Sequence, residues 1–565
     1  MNKIKDNVIL IIAIFLGAML RLIGLFWGGT SLFEPDESSF FNTVIKVMGT
    51  NSYLSGDWLY PNQVTGKLLG KFFRLYIHVG NVDTFTIVYA YRILVCVLST
   101  LIIFVAYRTI MVAFSNKIYA IIVAFAVALF PCYVKLAKFM TGDTTSFFFE
   151  SLVVLASAYY FKSNSNKHLV IMSLLAALSM MEKWNAGIMT IYIACIVIFN
   201  NYKHIKKLIK QGVIAGSVWG LGCLAVAPNL LWDYDNLMSQ MLVAKDYDGA
   251  VTKIDLLAYF RIFYGYSGII VFLLSLIGIF FAIKENGKKC IIFIVGPVYM
   301  VGMALLTSTV EDRLGFLAYY IFLMILGYGI YKLIVWTKEN MYIGVAMAIL
   351  VGTVSVTYLA EDIRLDVIAA STDQDFRIKG EKELDDIGVT LYNSISEQYT
   401  PYRPGFVRKD GTAPNIPLDG FIEEIDGQPY NYLPGVKYIV ISNRYSRDRE
   451  VVSILDRYAT PVLNYENGYM DMFWDSGTNG GITSFEPLVI YEKISDINKL
   501  LNGANIGFGY TVYDISNFNF DYNLAQKYSD NYTWNDWIIN NYISQNGEIN
   551  TDNAAQWAAW QNGED

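Results

Sequence analysis

Residues 85–107, FTIVYAYRILVCVLSTLIIFVAY, decide the fold class of this chain. A helix crosses a bilayer core of about 30 Å with roughly 20 apolar residues, and this run is long enough while carrying a single charged side chain, Arg92. The chain has 565 residues, of which 54% are hydrophobic and 16% charged, whereas soluble domains average about 25% charged residues. The run therefore predicts a membrane-spanning helix, and the composition predicts several more.

Similar runs recur up to about residue 360. We predict about 11 spans, at about 8–28, 85–107, 118–134, 147–161, 168–182, 185–200, 211–230, 266–284, 289–307, 314–334 and 341–359. The first is predicted to be a retained helix rather than a signal peptide, because no small-residue cleavage site follows it and Arg21 interrupts it. The remaining stretch of about 200 residues has the composition of a soluble protein.

Basic residues in the short loops predict the orientation. With the N-terminus inside, the cytoplasmic side receives Lys3, Lys5, Arg108, Lys117, Lys162, Lys167, Lys203, Lys206, Lys207, Lys210, Lys284, Lys288, Lys289, Lys332 and Lys338. The short loops of the opposite face receive only Lys135, Lys138, Lys183 and Arg313. An odd number of spans then places the chain beyond residue 360 outside the cytoplasm. We therefore predict a multi-pass protein of the plasma (cytoplasmic) membrane.

Several classes of protein are disfavoured. The net charge of −7 offers no basic surface for nucleic acid, so no nucleic-acid partner is expected. The five cysteines lie in or beside apolar runs without disulfide or metal-ligand spacing, and the three histidines are too scattered for a zinc site. The sequence TGKLLGK lacks the GKS/T ending of a phosphate-binding loop, and no nucleotide or organic cofactor is expected.

The acidic residues of the membrane half gather at the outer helix ends. FEPDESSF (33–40) supplies Glu34, Asp36 and Glu37, KFMTGDTTSFF (138–148) supplies Asp143, and STVEDRLGF (308–316) supplies Glu311, Asp312 and Arg313. Solvated loop carboxylates, and a capping role for Asp143, are the alternatives. The aromatic neighbours instead favour carboxylates in apolar surroundings, which disfavour the charged form and suit base chemistry.

Two outer connections are long. The first, about 29–84, contains TGKLLGKFFRLYIHVG (65–80), which predicts an amphipathic helix lying in the interface. The second, about 231–265, contains WDYDN. Together with the short outer loop at 135–146, they are the predicted location of a site, because functional residues are often carried by loops on a rigid scaffold.

Four motifs resemble those of GT-C glycosyltransferases of the protein O-mannosyltransferase and aminoarabinose-transferase type. They are a first helix ending in Arg followed by Pro-Asp-Glu, then Gly-Asp-Thr-Thr, then MEKWNAG (181–187), and EDRLGFLAYYIFLMIL (311–326). The last resembles the Arg-Tyr-x-x-Pro helix start of the family, although this chain has Arg-Leu-Gly-Phe there. The resemblance covers about residues 8–360 and implies a GT-C-like transmembrane domain over residues 1–360.

The resemblance implies transfer of a sugar from a polyprenyl-phosphate donor to an acceptor hydroxyl of a protein, lipid or cell-wall glycan at the outer face. By analogy Asp36 is the base, and Glu37 and Asp143 position the acceptor, the donor or a divalent cation, which Asp36 and Asp143 would bind. The donor phosphate is assigned to the cations at the outer boundary, Lys183, Arg313 and Lys138. Snorkelling from a helix end is the alternative for each cation.

Other interpretations stay open at this point. A polyprenyl-linked glycan flippase or transporter is the alternative function, but transporters place ionisable residues near the midplane, where this chain has few. A membrane-anchored receptor would not need eleven spans. Arg21 is also open to a structural role, bonding loop carbonyls or Asp36.

The polar part predicts a small extracytoplasmic α/β domain over residues 361–495. VKYIVISNRYS (436–446) and EPLVIYEKI (486–494) predict buried strands, and EKELDDIGVTLYNSI (381–395) predicts an amphipathic helix. The extension at 496–565 is rich in Asn, Tyr and Trp. Such a composition is typical of carbohydrate-stacking surfaces and equally of interface belts or ordinary packing. The predicted fold is an α-helical polytopic membrane protein plus a C-terminal extracytoplasmic α/β domain.

Overall fold

The structure is a computed structural model that describes residues 2–25, 37–50, 64–77, 84–247, 258–306, 312–339, 392–394, 422–431, 438–442, 449–465 and 510–520. The chain divides into two compact units. The first contains Met1–Phe26, Phe40–Ala370 and Met472–Glu492. The second contains Trp27–Ser39, Ser371–Asp471 and Lys493–Asp565.

Helices make up the described part of the first unit. They are α1 Asn2–Leu22, α2 Glu37–Thr50 (whose first turn begins in the second unit's segment), α3 Thr65–Ile77, α4 Thr84–Phe114, α5 Lys117–Leu129, α6 Pro131–Leu136, α7 Gly142–Ser163, α8 Asn166–Glu182, α9 Ile188–Asn201, α10 Ile205–Val226, α11 Tyr234–Tyr247, α12 Ala258–Asn286, α13 Val295–Leu306 and α14 Phe316–Glu339. Short 3₁₀ turns occupy Trp184–Gly187, Pro228–Leu231, Gly287–Ile294 and Asp312–Gly315.

Within the described residues, four helical stretches are long and apolar enough to cross a membrane: Thr86–Phe114, Trp184–Asn201, Ile205–Val226 and Arg313–Trp336. Val8–Leu22 and Lys117–Leu129 are shorter apolar helices. The mostly helical character of this half is therefore confirmed, while the number of eleven spans stays a prediction. The predicted span at 341–359 lies outside the described residues.

Three of the predicted spans are interrupted, begin as a 3₁₀ turn, or end early in the structure. The span at 118–134 is divided between α5 and α6, because Pro131 has no N–H to continue the ladder of α5. The span at 289–307 begins as a 3₁₀ turn and becomes α-helical only at Val295. The first span, predicted to reach residue 28, ends as a helix at Leu22, and Gly24 follows with φ of 74° in the turn.

The core of this unit forms around α14. Every residue from Phe316 to Leu326 is buried, and α12 crosses α14 at two glycines. A Cβ at Gly278 would lie 2.1 Å from the Ile325 carbonyl oxygen, and one at Gly329 would lie 2.1 Å from the Leu274 carbonyl oxygen. Small residues allow this backbone approach, as is common where membrane helices pack closely.

Arg21 holds three helices together at the end of α1. Its fully buried guanidinium donates to the Ser99 hydroxyl of α4 at 2.8 Å and to the Gly17 carbonyl oxygen at 3.0 Å. It also donates to the Ala128 and Val127 carbonyl oxygens of α5, at 2.9 and 3.2 Å. A cation is favourable at the C-terminal end of a helix, where carbonyls lack partners. These contacts support the structural alternative for Arg21, with helix-end carbonyls as partners; Asp36 lies outside the described residues.

The second unit contains strands and a helix. The hairpin of β2 Ile422–Ile425 and β3 Gln428–Asn431 turns at Asp426 and Gly427, whose φ values of 53° and 75° suit an Asp-Gly turn. The four-stranded sheet has the order β1, β4, β6, β5, from Tyr392–Ser394, Tyr438–Ser442, Tyr510–Asp514 and Thr460–Tyr465. Helix α15, Arg449–Tyr458, packs Val451, Ile454 and Leu455 into its core.

One prediction for this part is wrong in its last residues. The helix predicted over 381–395 includes Tyr392–Ser394, which form a strand paired in parallel with β4, Tyr392 opposite Tyr438. Pairing with a neighbouring strand decides the conformation of such a short segment more than helical periodicity does. The strand predicted at 436–446 is present as β4. The one predicted at 486–494 and the extension from 521 onward lie outside the described residues.

Candidate active site

Gly142 begins α7 at a point where three elements meet. A Cβ on this residue would lie 3.0 Å from the ring of Phe40 in α2 and 3.1 Å from the carbonyl oxygen of Glu182 at the end of α8. Phe40 is itself buried and packs edge-to-face on Tyr91 of α4, with ring centroids 6.3 Å apart. The first turn of α7 therefore lies directly against α2 and the end of α8.

Asp143, the second residue of α7, forms an ion pair with Lys183, the residue that follows α8. The carboxylate is almost fully buried, and the lysine side chain is 24% exposed. The N-cap of α7 is Thr141, whose side chain makes no capping hydrogen bond. The alternative that Asp143 merely caps its helix is therefore not supported, since its carboxylate is directed to Lys183. Two residues that the sequence analysis selected separately are brought together here.

Glu150 adds a second buried carboxylate, which the sequence analysis missed. It lies seven residues after Asp143, so both are on the same face of α7. Its side chain is 3% exposed, and the charges of Lys183 and Asp143 both act on it. An isolated Glu inside an apolar helix, spaced by two turns from a candidate residue, is the signal that would have found it.

A tyrosine and an amide complete the polar surroundings of these carboxylates. Asn185, two residues after Lys183, donates to the Tyr299 hydroxyl of α13 at 3.0 Å. Asp143 and Glu150 both act electrostatically on Tyr299, which is buried. A polar cluster of two carboxyl groups, an ammonium, an amide and a phenol thus lies among α7, α13 and the turn after α8.

Glu182 connects this polar cluster to the first outer connection. Its fully buried carboxylate accepts hydrogen bonds from the Thr65 backbone N–H at 2.5 Å, from the Thr65 hydroxyl, and from the Thr145 hydroxyl at 3.4 Å. Thr65 is the first residue of α3, so a carboxylate stands at the positive end of that helix. Lys67 strengthens the connection by donating to the Val226 carbonyl oxygen, at the end of α10, at 2.6 Å. Glu182 was not among the candidates predicted from the sequence, although it is the neighbour of Lys183.

The predicted amphipathic helix at 65–80 is confirmed as α3, Thr65–Ile77. Its outer stripe, Leu68, Phe72 and Leu75, is exposed, whereas Phe73 is buried. Gly70 packs against α2, where a Cβ would lie 2.7 Å from the Val47 side chain. Location of this helix in the membrane interface stays a prediction.

Arg74 of α3 donates to the Met48 carbonyl oxygen of α2 at 2.9 Å. The guanidinium therefore joins α3 to the C-terminal end of α2, a position that suits a cation.

The other predicted site residues are distributed as follows. Asp36, Glu34 and Glu311 lie outside the described residues. Glu37 is the buried first residue of α2, one turn before Phe40. Lys138 is buried in the turn after α6, where its charge acts on Cys96 of α4. Arg313 is partly exposed in the 3₁₀ turn before α14.

Among the described residues, no group of three or more His, Cys, Asp and Glu is arranged to hold a metal ion. The predicted metal ligand Asp143 has an ammonium, that of Lys183, as its ionic partner. One carboxylate paired with an ammonium does not by itself form a site for a divalent cation, which prefers several oxygen ligands. The other predicted ligand, Asp36, lies outside the described residues.

Three solved structures of one enzyme are similar to the chain, all at 12% identity. The Archaeoglobus fulgidus oligosaccharyltransferase in complex with Zn and sulfate gives a TM-score of 0.45, covering 82% of this chain and 73% of that one. Its apo form gives 0.47, covering 83% and 75%. The form tethered to an acceptor peptide containing the NVT sequon gives 0.47, covering 83% and 74%. No curated protein matches the chain.

Part of the sequence also matches the model of a protein family. Residues 80–232 fit the model of the family described as dolichyl-phosphate-mannose-protein mannosyltransferase. The matched segment is about a quarter of the chain and contains Asp143, Glu150, Glu182 and Lys183. The resemblance to protein mannosyltransferases that the sequence predicts is confirmed for this segment, which holds the Asp143–Lys183 ion pair.

Proposed function

We propose that the chain is an integral-membrane glycosyltransferase that moves a sugar from a polyprenyl-phosphate donor to an acceptor hydroxyl at the outer face of the membrane. The observation that carries this proposal is the Asp143–Lys183 ion pair at the start of α7, inside the segment that matches the mannosyltransferase family. It places a partly exposed cation beside buried carboxylates, at the junction of helix ends and the first outer connection.

Lys183 is proposed to bind the donor phosphate. The leaving group of this reaction is a phosphate that is stable as an anion, so positive charge assists its departure more than a proton does. An ammonium has three N–H donors. The bond to Asp143 uses one and fixes the side chain, which leaves two for phosphate oxygens. Arg313 and Lys138 are proposed as further phosphate ligands.

Asp36 is proposed as the general base. It takes the proton of the acceptor hydroxyl while that oxygen attacks the anomeric carbon of the sugar. The bond from this carbon to the phosphate oxygen breaks, and its electron pair leaves with the polyprenyl phosphate. Glu37 and Asp143 position the reactants. The location of Glu37 at the start of α2, a turn before the Phe40 ring that packs on Gly142, supports this assignment.

The positive charge in this mechanism comes from protein side chains. The divalent cation predicted from the resemblance would need the carboxylate that Lys183 occupies, and no step above depends on it. The donor sugar is proposed from the description of the matching family, which names dolichyl-phosphate mannose. The acceptor, whether protein, lipid or cell-wall glycan, is defined here only by its hydroxyl group.

The experiment that tests this function uses the full chain in sealed vesicles. Polyprenyl-phosphate mannose, radiolabelled in the sugar, is added with hydroxyl-bearing peptide and glycan acceptors. Label recovered in an acceptor, in vesicles with the parent and not with Asp36→Asn, supports the enzyme. Label that crosses the membrane while still attached to its lipid, with no transfer product, supports a flippase and overturns the proposal.

A further inference from the structure

The ends of α7 through α10 that lie away from the polar cluster carry a group of exposed lysines. Six exposed lysines stand there, and we call them the lysine surface: Lys162, Lys167, Lys203, Lys206, Lys207 and Lys210. They lie in or beside two connections separated in sequence: Lys162 and Lys167 are in the helix turns that flank the α7–α8 connection, Lys203 is in the α9–α10 connection, and the other three are at the start of α10. The proposed sugar transfer makes no use of them.

A buried amide cluster holds these two connections side by side. Gln211 donates to the Asn164 and Asn166 side-chain oxygens at 3.3 and 3.1 Å. Asn201 donates to the Gln211 oxygen at 2.7 Å, and Asn164 donates to the Asn201 oxygen at 3.1 Å. Tyr160 completes the cluster with a 2.5 Å hydrogen bond to Gln211. Asn201 and Gln211, the buried amides of this cluster, are each 1% exposed, so their hydrogen bonds hold the two connections and the lysines beside them together.

The segments that carry the lysine surface contain few carboxylates. Between Glu150 and Asp233 the sequence has one acidic residue, Glu182, at the opposite end of α8. None of the six lysines forms an ion pair with a residue that the structure describes. Like charges at this density repel one another, so an anionic partner is favoured.

Apolar side chains flank the lysines on α10. Ile205, Ile209 and Val213 are spaced by four residues and are each more than 60% exposed, so they form one outward stripe. A lysine beside such a stripe can lie along apolar surface while its ammonium reaches the polar boundary. An anionic lipid matches this combination, because its acyl chains can contact the apolar stripe while its negative headgroup pairs with the lysines, whereas a soluble polyanion has no apolar part.

We propose that the lysine surface binds anionic phospholipid headgroups of the surrounding membrane leaflet. The headgroup phosphate and its negative charge pair with the lysines, and the acyl chains lie along Ile205, Ile209 and Val213. Basic clusters next to membrane helices attract anionic lipid, and each lysine raises the binding constant by about a factor of five. This inference does not depend on the proposed sugar transfer.

The test measures lipid preference of the full-length protein in neutral detergent. Equimolar phosphatidylglycerol and phosphatidylcholine are added, and native mass spectrometry counts the bound molecules of each. The variant K203Q/K206Q/K207Q removes half of the lysine surface. The matched control K284Q/K288Q/K289Q removes three exposed lysines between α12 and α13, where Glu285 supplies a carboxylate.

The parent and the control are expected to retain phosphatidylglycerol at least about fivefold over phosphatidylcholine. The lysine-surface variant, which keeps three of the six lysines, is expected to show a phosphatidylglycerol preference at least about fivefold lower than that of the parent. Its elution volume and thermal midpoint are expected to stay unchanged, because the replaced side chains are exposed. Equal binding by the parent, or an unchanged preference in the variant, would overturn the proposal. The proposal would also be overturned if the variant kept its lipid preference but no longer co-purified with an acidic protein that co-purifies with the parent.

Discussion

The carboxylate of Glu182 accepts hydrogen bonds from both the backbone N–H and the hydroxyl of Thr65, the first residue of α3. The next residue, Lys183, pairs with Asp143 in the first turn of α7. Two successive side chains at the end of α8 therefore connect different parts of the molecule, one to the first outer connection and the other to the proposed phosphate site. Because Glu182 and Lys183 are adjacent in the chain, a change in the contact of one residue should displace the other.

Glu182→Gln tests this connection. The amide keeps the size of the side chain but removes the charge that faces the N-terminus of α3, and one of its hydrogen-bonding atoms becomes a donor opposite Thr65. Hydrogen bonds to charged groups contribute about 1.5–3 kcal/mol, so we expect a lower thermal midpoint together with an increased KM for the polyprenyl-phosphate donor. Glu285→Gln is the control, since that carboxylate is part-exposed and pairs with Lys332. Equal donor KM in parent and Glu182→Gln would contradict the connection.

Gly142→Ala tests the contact of α2 with α7. The added methyl group would meet the Phe40 ring at 3.0 Å and the Glu182 carbonyl oxygen at 3.1 Å, so one of them must move. We expect transfer activity to fall by about tenfold, because small displacements near reacting groups are costly. Gly216→Ala on α10 is the matched control, since no atom lies within 4 Å of its Cβ position. If both variants transfer sugar equally well, α2 does not position the site.

Arg21→Met is expected to reduce the yield of folded protein. It leaves the Val127 and Ala128 carbonyls and the Ser99 hydroxyl without their donor inside the bundle, and each buried unsatisfied group costs about 1–3 kcal/mol. The measurement is the fraction of monodisperse protein after extraction, with its thermal midpoint. Protein that does fold should keep its KM for the donor, whereas a raised KM at unchanged stability would point to a role in binding instead.

The pH dependence of stability tests the environment of Lys67, which lies in the outer connection. Burial, assisted by the charge of Lys46, lowers the pKa of Lys67 from 10.5 to about 8. The unfolded chain then binds more protons than the folded chain between these values, so stability rises with pH in this window.

The thermal midpoint of the parent is therefore expected to rise relative to that of Lys67→Met as the pH increases from 7 to 9.5. Lys210→Met, at an exposed lysine, provides the comparison for the loss of one positive charge. An offset for Lys67→Met that does not change over this range would show that Lys67 has an ordinary pKa.

Sequence patterns predicted the mostly helical character of the first unit and the amphipathic helix α3, and they selected Asp143 and Lys183 as separate candidates. They did not predict the ion pair, because the two residues are 40 positions apart and only the packing of α7 on α8 brings them together. Glu150 and Glu182 were overlooked because each lies in a run whose mean hydropathy hides a single carboxylate. Pro131 is visible in the sequence, but the apolar run around it is long enough to cross a bilayer and was therefore predicted as one span.

The Asp143–Lys183 ion pair is the centre of the account, and its most direct test is the rate of mannose transfer from polyprenyl-phosphate mannose by Lys183→Met. Loss of a group that stabilises developing charge commonly costs about 10²–10³ in rate. We predict a loss of at least about a hundredfold in Lys183→Met at saturating acceptor, a similar loss in Asp143→Asn, and little further loss when the two are combined. Transfer at the parental rate by Lys183→Met, in folded protein, would contradict the account.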